Sequence, residues 1–167
     1  MITLYLDMDG VIADFHKEYD KYDPHREDRK KFRSAVIDHR IFEQLDFMPD
    51  AQELLNYVSK LNGVTVEMLT SVGSHDPFQG QSAKEQKLNW LNAKNIPWKA
   101  NFVQDKGQKA KYATAASILI DDSIGCITPF NEAGGYGILH TSAADTITKL
   151  HSTILQIHTL EALRKHS

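Results

Sequence analysis

The sequence predicts an open α/β sheet with helices on both faces. Apolar runs of strand length alternate with longer helical patterns, and acidic pairs stand directly after two of those runs, where ligands bind in such sheets. At 167 residues, 41% hydrophobic and 25% charged, the chain can bury one core without disulfides or structural metal.

The first strand is expected at 3–6, running into Asp7, and the others at 64–69, 100–103, 117–120 and 136–139. Between them, a helix over 51–61 follows Pro49, and Gly63 suits its end. A second helix starts after Gln81 and runs to about 93, with Ser82 and Glu85 spaced as a capping box. Two more are expected from 107 to about 115 and from 124 to about 133. A last helix covers 144 to about 164, where Ile147, Leu150, Ile154 and Ile157 recur at helical spacing. That apolar face packs on the core by default, with a homodimer interface as the second reading.

Residues 15–47 depart from the alternation, being charge-dense with Tyr19, Tyr22, Phe32, Phe42 and Phe47 at intervals. They read as a small helical insert that Asp23-Pro24-His25 divides in two, because proline restricts its neighbour and Asp-Pro favours turns. The charged run 26–31 reads as a solvated face.

The formal charge of −3, without a basic stripe, argues against a stable complex with nucleic acid held through its phosphates. Cys126 is the single cysteine, which suits a reducing compartment, and it reads as a small packed residue. No apolar stretch is of membrane-spanning length and the N-terminus lacks the layout of a leader, so the expectation is a cytoplasmic protein without membrane contact. The eight histidines show no metalloprotease spacing and read as surface residues, and no glycine-rich Walker loop is present.

The chemistry concentrates at three strand ends. Asp7 and Asp9 leave the first strand two residues apart, so one can face a phosphorus atom and the other a departing oxygen, while Gly10 permits the turn. The bland reading is that both are turn residues. Thr70 and Ser71 follow the second strand and offer a hydroxyl and a backbone N–H to a phosphate oxygen. Asp121 and Asp122 end the fourth strand, and Asp7 with Asp121 could share a hard cation such as Mg²⁺, which prefers carboxylates, water and substrate oxygens. Bound phosphate needs positive charge, available from Lys106, Lys109 and Lys111. At about 100° per residue Lys109 shares a face with Ala110, Ala113 and Ala116, which look core-facing, so Lys109 is favoured and Lys111 is second.

Asp7-Met8-Asp9-Gly10-Val11, Thr70-Ser71, a lysine within 109–111 and Asp121-Asp122 stand in the order and strand context of the four motifs of haloacid dehalogenase-type phosphatases, which this chain resembles. Within that superfamily it is most similar to the 5'(3')-deoxyribonucleotidase branch and related small phage or bacterial nucleotidases. Leu119-Ile120-Asp121-Asp122 and Asn131-Glu132-Ala133-Gly134-Gly135 are similar to stretches in that group, and the likeness is patchy over 17–40. The resemblance implies a Rossmann-like three-layer sandwich whose five parallel strands run in the order 5-4-1-2-3. The catalytic core would be 1–14 and 48–167, and 15–47 a small helical cap with an aromatic pocket for a base, for which Tyr19, Tyr22 and Phe42 are candidates.

It further implies a Mg²⁺-dependent phosphomonoesterase. Asp7 would take the phosphoryl group as an aspartyl-phosphate, and Asp9 would protonate the leaving alkoxide and later accept a proton from water. Mg²⁺ would be held by Asp7, the Asp9 carbonyl and Asp121 with Asp122 in support, while Thr70, the Ser71 backbone and Lys109 hold the transferring oxygens. Asp9 argues against dehalogenation, since a halide needs no proton. The expected substrate is a (deoxy)ribonucleotide. Another small phosphomonoester, such as a sugar phosphate or a nucleic-acid 3'-phosphate, is the alternative. A weakly catalytic binding module comes third, and intact Asp7, Asp9 and Asp121 speak against it.

Overall fold

The computed structural model describes residues 1–167. Five parallel strands, β1 (Ile2–Leu6), β2 (Val64–Ser71), β3 (Ala100–Val103), β4 (Ser117–Asp121) and β5 (Tyr136–Leu139), form one sheet in the order β3-β2-β1-β4-β5. Counted from its other edge, this is the expected 5-4-1-2-3. The helices are α1 (Phe15–Tyr19), α2 (Asp28–Ile37), α3 (Ala51–Ser59), α4 (Pro77–Ala93), α5 (Ile124–Glu132) and α6 (Ala143–Lys165). None is long and apolar enough to cross a membrane.

Strand alternation sends side chains to two separate apolar layers. Ile2, Leu4, Leu6, Ile118 and Ile120 meet Leu54 and Val58 of α3, Trp90 of α4, and Leu150 and Ile157 of α6. On the opposite face Leu69 and Leu119 meet Ile127 and Phe130 of α5, beside an edge-to-face pair of Tyr5 and Tyr112 with centroids 5.3 Å apart. Parallel pairing places Leu6 beside both Met68 and Ile120, so β1, β2 and β4 deliver their next residues to one edge.

The insert divides as expected, with α1 and α2 separated by the segment holding Asp23 and Pro24, followed by a short 3-10 turn at Ile41–Glu43. It has no core of its own: Ala35, Val36, Ile41, Phe42 and Leu45 belong to the same apolar body as β1 and α3. Buried hydrogen bonds fasten it to α4. Trp90 Nε1 donates to the Leu45 carbonyl at 2.8 Å, and Gln86 donates to the Val36 carbonyl at 2.7 Å while accepting from Phe42 N.

Local readings differ from the structure at three places. The helix expected after Gln81 begins at Pro77, because Asp76 caps it by accepting from Gln79 N and proline suits the first helical position. Ser82 and Glu85 instead serve Gln86 and Arg40. The helix expected over 107–115 is a 3-10 helix at Lys106–Tyr112, which ends where Ala113 becomes extended. Three residues per turn align Lys106, Lys109 and Tyr112 along one side.

His140 is the third, a buried histidine rather than a surface one. Its Nδ1 lies 2.7 Å from the hydroxyl of fully buried Thr146, and burial pushes its pKa down, with Asp50 and Asp145 opposing. The unfolded chain therefore takes up this proton first, so stability present above the ordinary value of 6.5 is lost as pH falls through the lower folded value. A His140→Gln variant is expected to lose less melting temperature than the wild type between about pH 7 and 5. Equal losses would remove His140 from the acid response.

Candidate active site

Asp7 continues from β1 and its backbone N–H still donates to the Ile120 carbonyl, so the sheet fixes its position. The chain then turns sharply. The turn's hydrogen bonds fall on the carbonyls of Met8 and Ala13, leaving the Asp9 carbonyl without one. Gly10 adopts φ +80°, and a Cβ there would lie 2.0 Å from Asp122 Oδ2. A Gly10→Ala variant is therefore expected to lose about 1–3 kcal/mol of stability through left-handed strain and displacement of Asp122, read by thermal melting. An unchanged melt would show that Asp122 moves freely.

A pocket of about 250 Å³ opens over this edge. Asp7, Asp9, Thr70, Ser71, Lys109, Asp121 and Asp122 all line it. Carboxylate oxygens of Asp7, Asp121 and Asp122 lie within 4.8 Å of one another. Asp121 is tied at both oxygens, Oδ1 accepting from Ser123 N at 2.9 Å and Oδ2 from Lys109 at 2.6 Å.

Lys109, buried, also donates to Asp7 Oδ1 at 3.0 Å. Burial alone would lower its pKa, but Asp7 and Asp121 outweigh that and hold the ammonium above its usual range. An ammonium has three donors, and two are used, so one remains for a ligand oxygen. Lys111 is exposed and does not line the pocket. The Ser71 hydroxyl is occupied, donating to the Gln104 carbonyl and accepting from Gly73 N.

The sequence reading missed Lys87. This wholly buried lysine of α4 donates to Asp9 Oδ2 at 2.8 Å, Thr70 Oγ1 at 2.7 Å and the Ser71 carbonyl at 2.9 Å. Its Nζ also lies 4.5 Å from the centre of the Phe42 ring. On α4 the buried positions include Ala83, Gln86, Lys87, Trp90 and Leu91, a core-facing stripe interrupted by a charge. That interruption was the signal available.

Burial pushes the Asp7 carboxyl up to about 8; Lys109 opposes this, and neighbouring Asp121 and Asp9 add to it. Four carboxyl groups (Asp7, Asp9, Asp121, Asp122) surround two ammonium groups, which leaves two negative charges uncompensated when all four are ionised. With three converging carboxylates and a free Asp9 carbonyl, the donor set fits a divalent hard cation such as Mg²⁺. Cys126 touches the inner wall, but burial raises its thiol to about 12, so it stays protonated and is no nucleophile.

The aromatic part of the wall comes from Phe15, Phe32 and Phe42. Tyr19 and Tyr22 do not line the pocket. Tyr19 stacks on Phe15 and donates to Asp28, while Tyr22 packs on His39. Beyond Phe32 and Gly73 the pocket runs into an open groove of about 940 Å³ that carries Arg29, Arg33, His75 and Lys106.

No family model and no curated protein matches the chain in sequence. Among solved structures it is similar to a D,D-heptose 1,7-bisphosphate phosphatase from Burkholderia thailandensis, with TM-score 0.54 and 13% identity over 91% of this chain and 99% of that one. A hydrolase from Streptococcus pneumoniae TIGR4 gives TM-score 0.53 and 14% identity over 89% and 97%. A haloacid dehalogenase-like hydrolase, also from Streptococcus pneumoniae, gives 0.49 and 14% over 89% and 90%. At such identities the likeness is one of fold: the chain has the α/β architecture of the first two hydrolases along nearly its whole length.

Proposed function

We propose that this protein is a Mg²⁺-dependent phosphomonoesterase of the haloacid dehalogenase superfamily, acting on nucleoside monophosphates. The observation that carries the reading is the convergence of Asp7, Asp121, Asp122 and Lys109 at the strand ends, beside Asp9 and Thr70. The first two structural neighbours, a phosphatase and a hydrolase, support it as analogy of fold.

In this reading an Asp7 oxygen bonds to phosphorus as the ester P–O bond breaks, and Asp9 gives its proton to the departing alkoxide. Asp9 then takes a proton from water, whose oxygen bonds to phosphorus as the Asp7–phosphoryl bond breaks. Lys109, through its remaining N–H, and the Thr70 hydroxyl hold the transferring oxygens. The Asp7 and Asp121 carboxylates and the Asp9 carbonyl, with Asp122 in support, would hold Mg²⁺, which offsets the charge between nucleophile and phosphate when bound. The rings of Phe15, Phe32 and Phe42 offer an apolar wall for the leaving group, which suits a base or sugar.

A second reading is favoured by the groove. Arg33 and His75 there are paired with Asp76 and Asp105, but Arg29 and Lys106 form no ion pair and suit a leaving group with a further anionic group, such as a sugar bisphosphate or a nucleic-acid 3'-phosphate. The Burkholderia neighbour is itself a bisphosphate phosphatase.

Phosphate release from nucleoside monophosphates, sugar phosphates, bisphosphates and 3'-phosphorylated oligonucleotides, each with Mg²⁺ or EDTA, tests both readings. Mg²⁺-dependent release fastest on nucleoside monophosphates is the expected result. Preference for substrates with a second phosphate would select the second reading, and no release from any substrate would overturn both.

A further inference from the structure

Lys87 belongs to none of the sequence motifs that point to phosphoryl transfer, yet it is among the most thoroughly enclosed charges in the protein, with none of its surface exposed. Its ammonium has three donors, and all are taken by Asp9 Oδ2, Thr70 Oγ1 and the Ser71 carbonyl. Lys109 keeps one N–H for a ligand, whereas Lys87 keeps none. Its role is therefore exerted through the groups it holds.

Two consequences follow for those groups. Asp9 Oδ2 is fixed by the bond to Lys87, while Oδ1 is buried with no hydrogen-bond partner at all, the one such side-chain atom in the chain. Thr70 Oγ1 accepts from Lys87, so its own hydroxyl proton must point elsewhere and is available to a phosphoryl oxygen. Phe42 covers the ammonium from the insert side, which ties this arrangement to the docking of residues 15–47 on α4.

We propose that Lys87 is a positioning residue that fixes the Asp9 carboxylate for proton transfer and turns the Thr70 hydroxyl proton toward the transferring phosphoryl group. This rests on the phosphomonoesterase reading. The ammonium keeps its own protons throughout; the proton that moves is the one exchanged between Asp9 and the leaving oxygen or water.

The test compares kcat/KM for 2,4-dinitrophenyl, phenyl and alkyl phosphates in wild type and Lys87→Met. Dinitrophenolate leaves without a proton, whereas an alkoxide needs one. The variant is expected to lose about 10²–10³-fold on alkyl phosphates and less than about tenfold on the dinitrophenyl ester. On that ester kcat is expected to fall together with KM, because hydrolysis of the aspartyl-phosphate still requires Asp9 as base. In an Asp9→Asn background the Lys87 substitution should add no leaving-group dependence.

A loss of equal size for all three esters, or an added leaving-group dependence in the Asp9→Asn background, would overturn the proposal while leaving the phosphomonoesterase reading standing. Absence of phosphate release by the wild type would overturn both. If Lys87→Met does not fold, Lys87→Gln, which keeps a donor in place, is read against the same outcomes.

Discussion

Asp7→Asn is expected to reduce phosphate release by on the order of 10⁵-fold while raising the melting temperature of the metal-free protein. The first effect follows from removing the oxygen that would form the aspartyl-phosphate. The second follows from where the carboxyl sits. Burial holds its pKa at about 8 against an ordinary 3.8, so between those values the folded state keeps a proton that the unfolded chain has released. Stability is then fully present below the ordinary value and lost as pH rises through the folded one. Asparagine removes that cost, which amounts to at most about 4 kcal/mol at pH 7, or roughly 5–15 °C in a domain of this size. The gain should shrink toward pH 4 and grow toward pH 8, as read by melts in EDTA. An inactive variant that is also less stable across this range would mean that Asp7 is structural. Retained activity would remove it from the chemistry.

Much of this site was legible in the sequence because strand ends carry strong local signals. Asp7, Thr70 and Asp121 each end or follow an apolar run, and parallel pairing brings such ends to one edge whatever the loops between them do. Lys109 could be preferred over Lys111 by periodicity, although the segment proved to be a 3-10 helix. The preference survives because Lys109 remains inward with either three or 3.6 residues per turn. Lys87 escaped because its partners lie 78 and 17 residues away and form only when α4 packs beneath the turn after β1. The same wheel applied to α4 would have shown a lysine in an apolar stripe, but not what it meets. The insert was hardest. Tyr19, Tyr22, Phe32 and Phe42 are equally aromatic in sequence, and only the docking through Gln86 and Trp90 decides which rings reach the pocket.

Lys109→Met is expected to separate the electrostatic work of this lysine from its contact with substrate. Removing one member of a buried charge cluster typically costs about 3–5 kcal/mol, because the remaining charges are left without compensation. The loss should fall toward the low end here, since Asp7 already holds its proton readily and can retreat to the neutral form. A fall of roughly 6–12 °C in the melting temperature in EDTA is therefore expected. Mg²⁺ should then raise the variant's melting temperature by more than it raises the wild type's, because Asp7, Asp121 and Asp122 are left with one more uncompensated charge for a cation to satisfy. Catalysis should not recover with the cation. Without the remaining N–H of Lys109, the transferring oxygens lose a donor, and kcat/KM is expected to drop about 10²–10³-fold even at saturating Mg²⁺. An equal Mg²⁺ shift in variant and wild type would show that Lys109 does not balance the acidic cluster. Full activity with Mg²⁺ would show that the lysine serves the carboxylates alone and that the phosphoryl group is held by other donors.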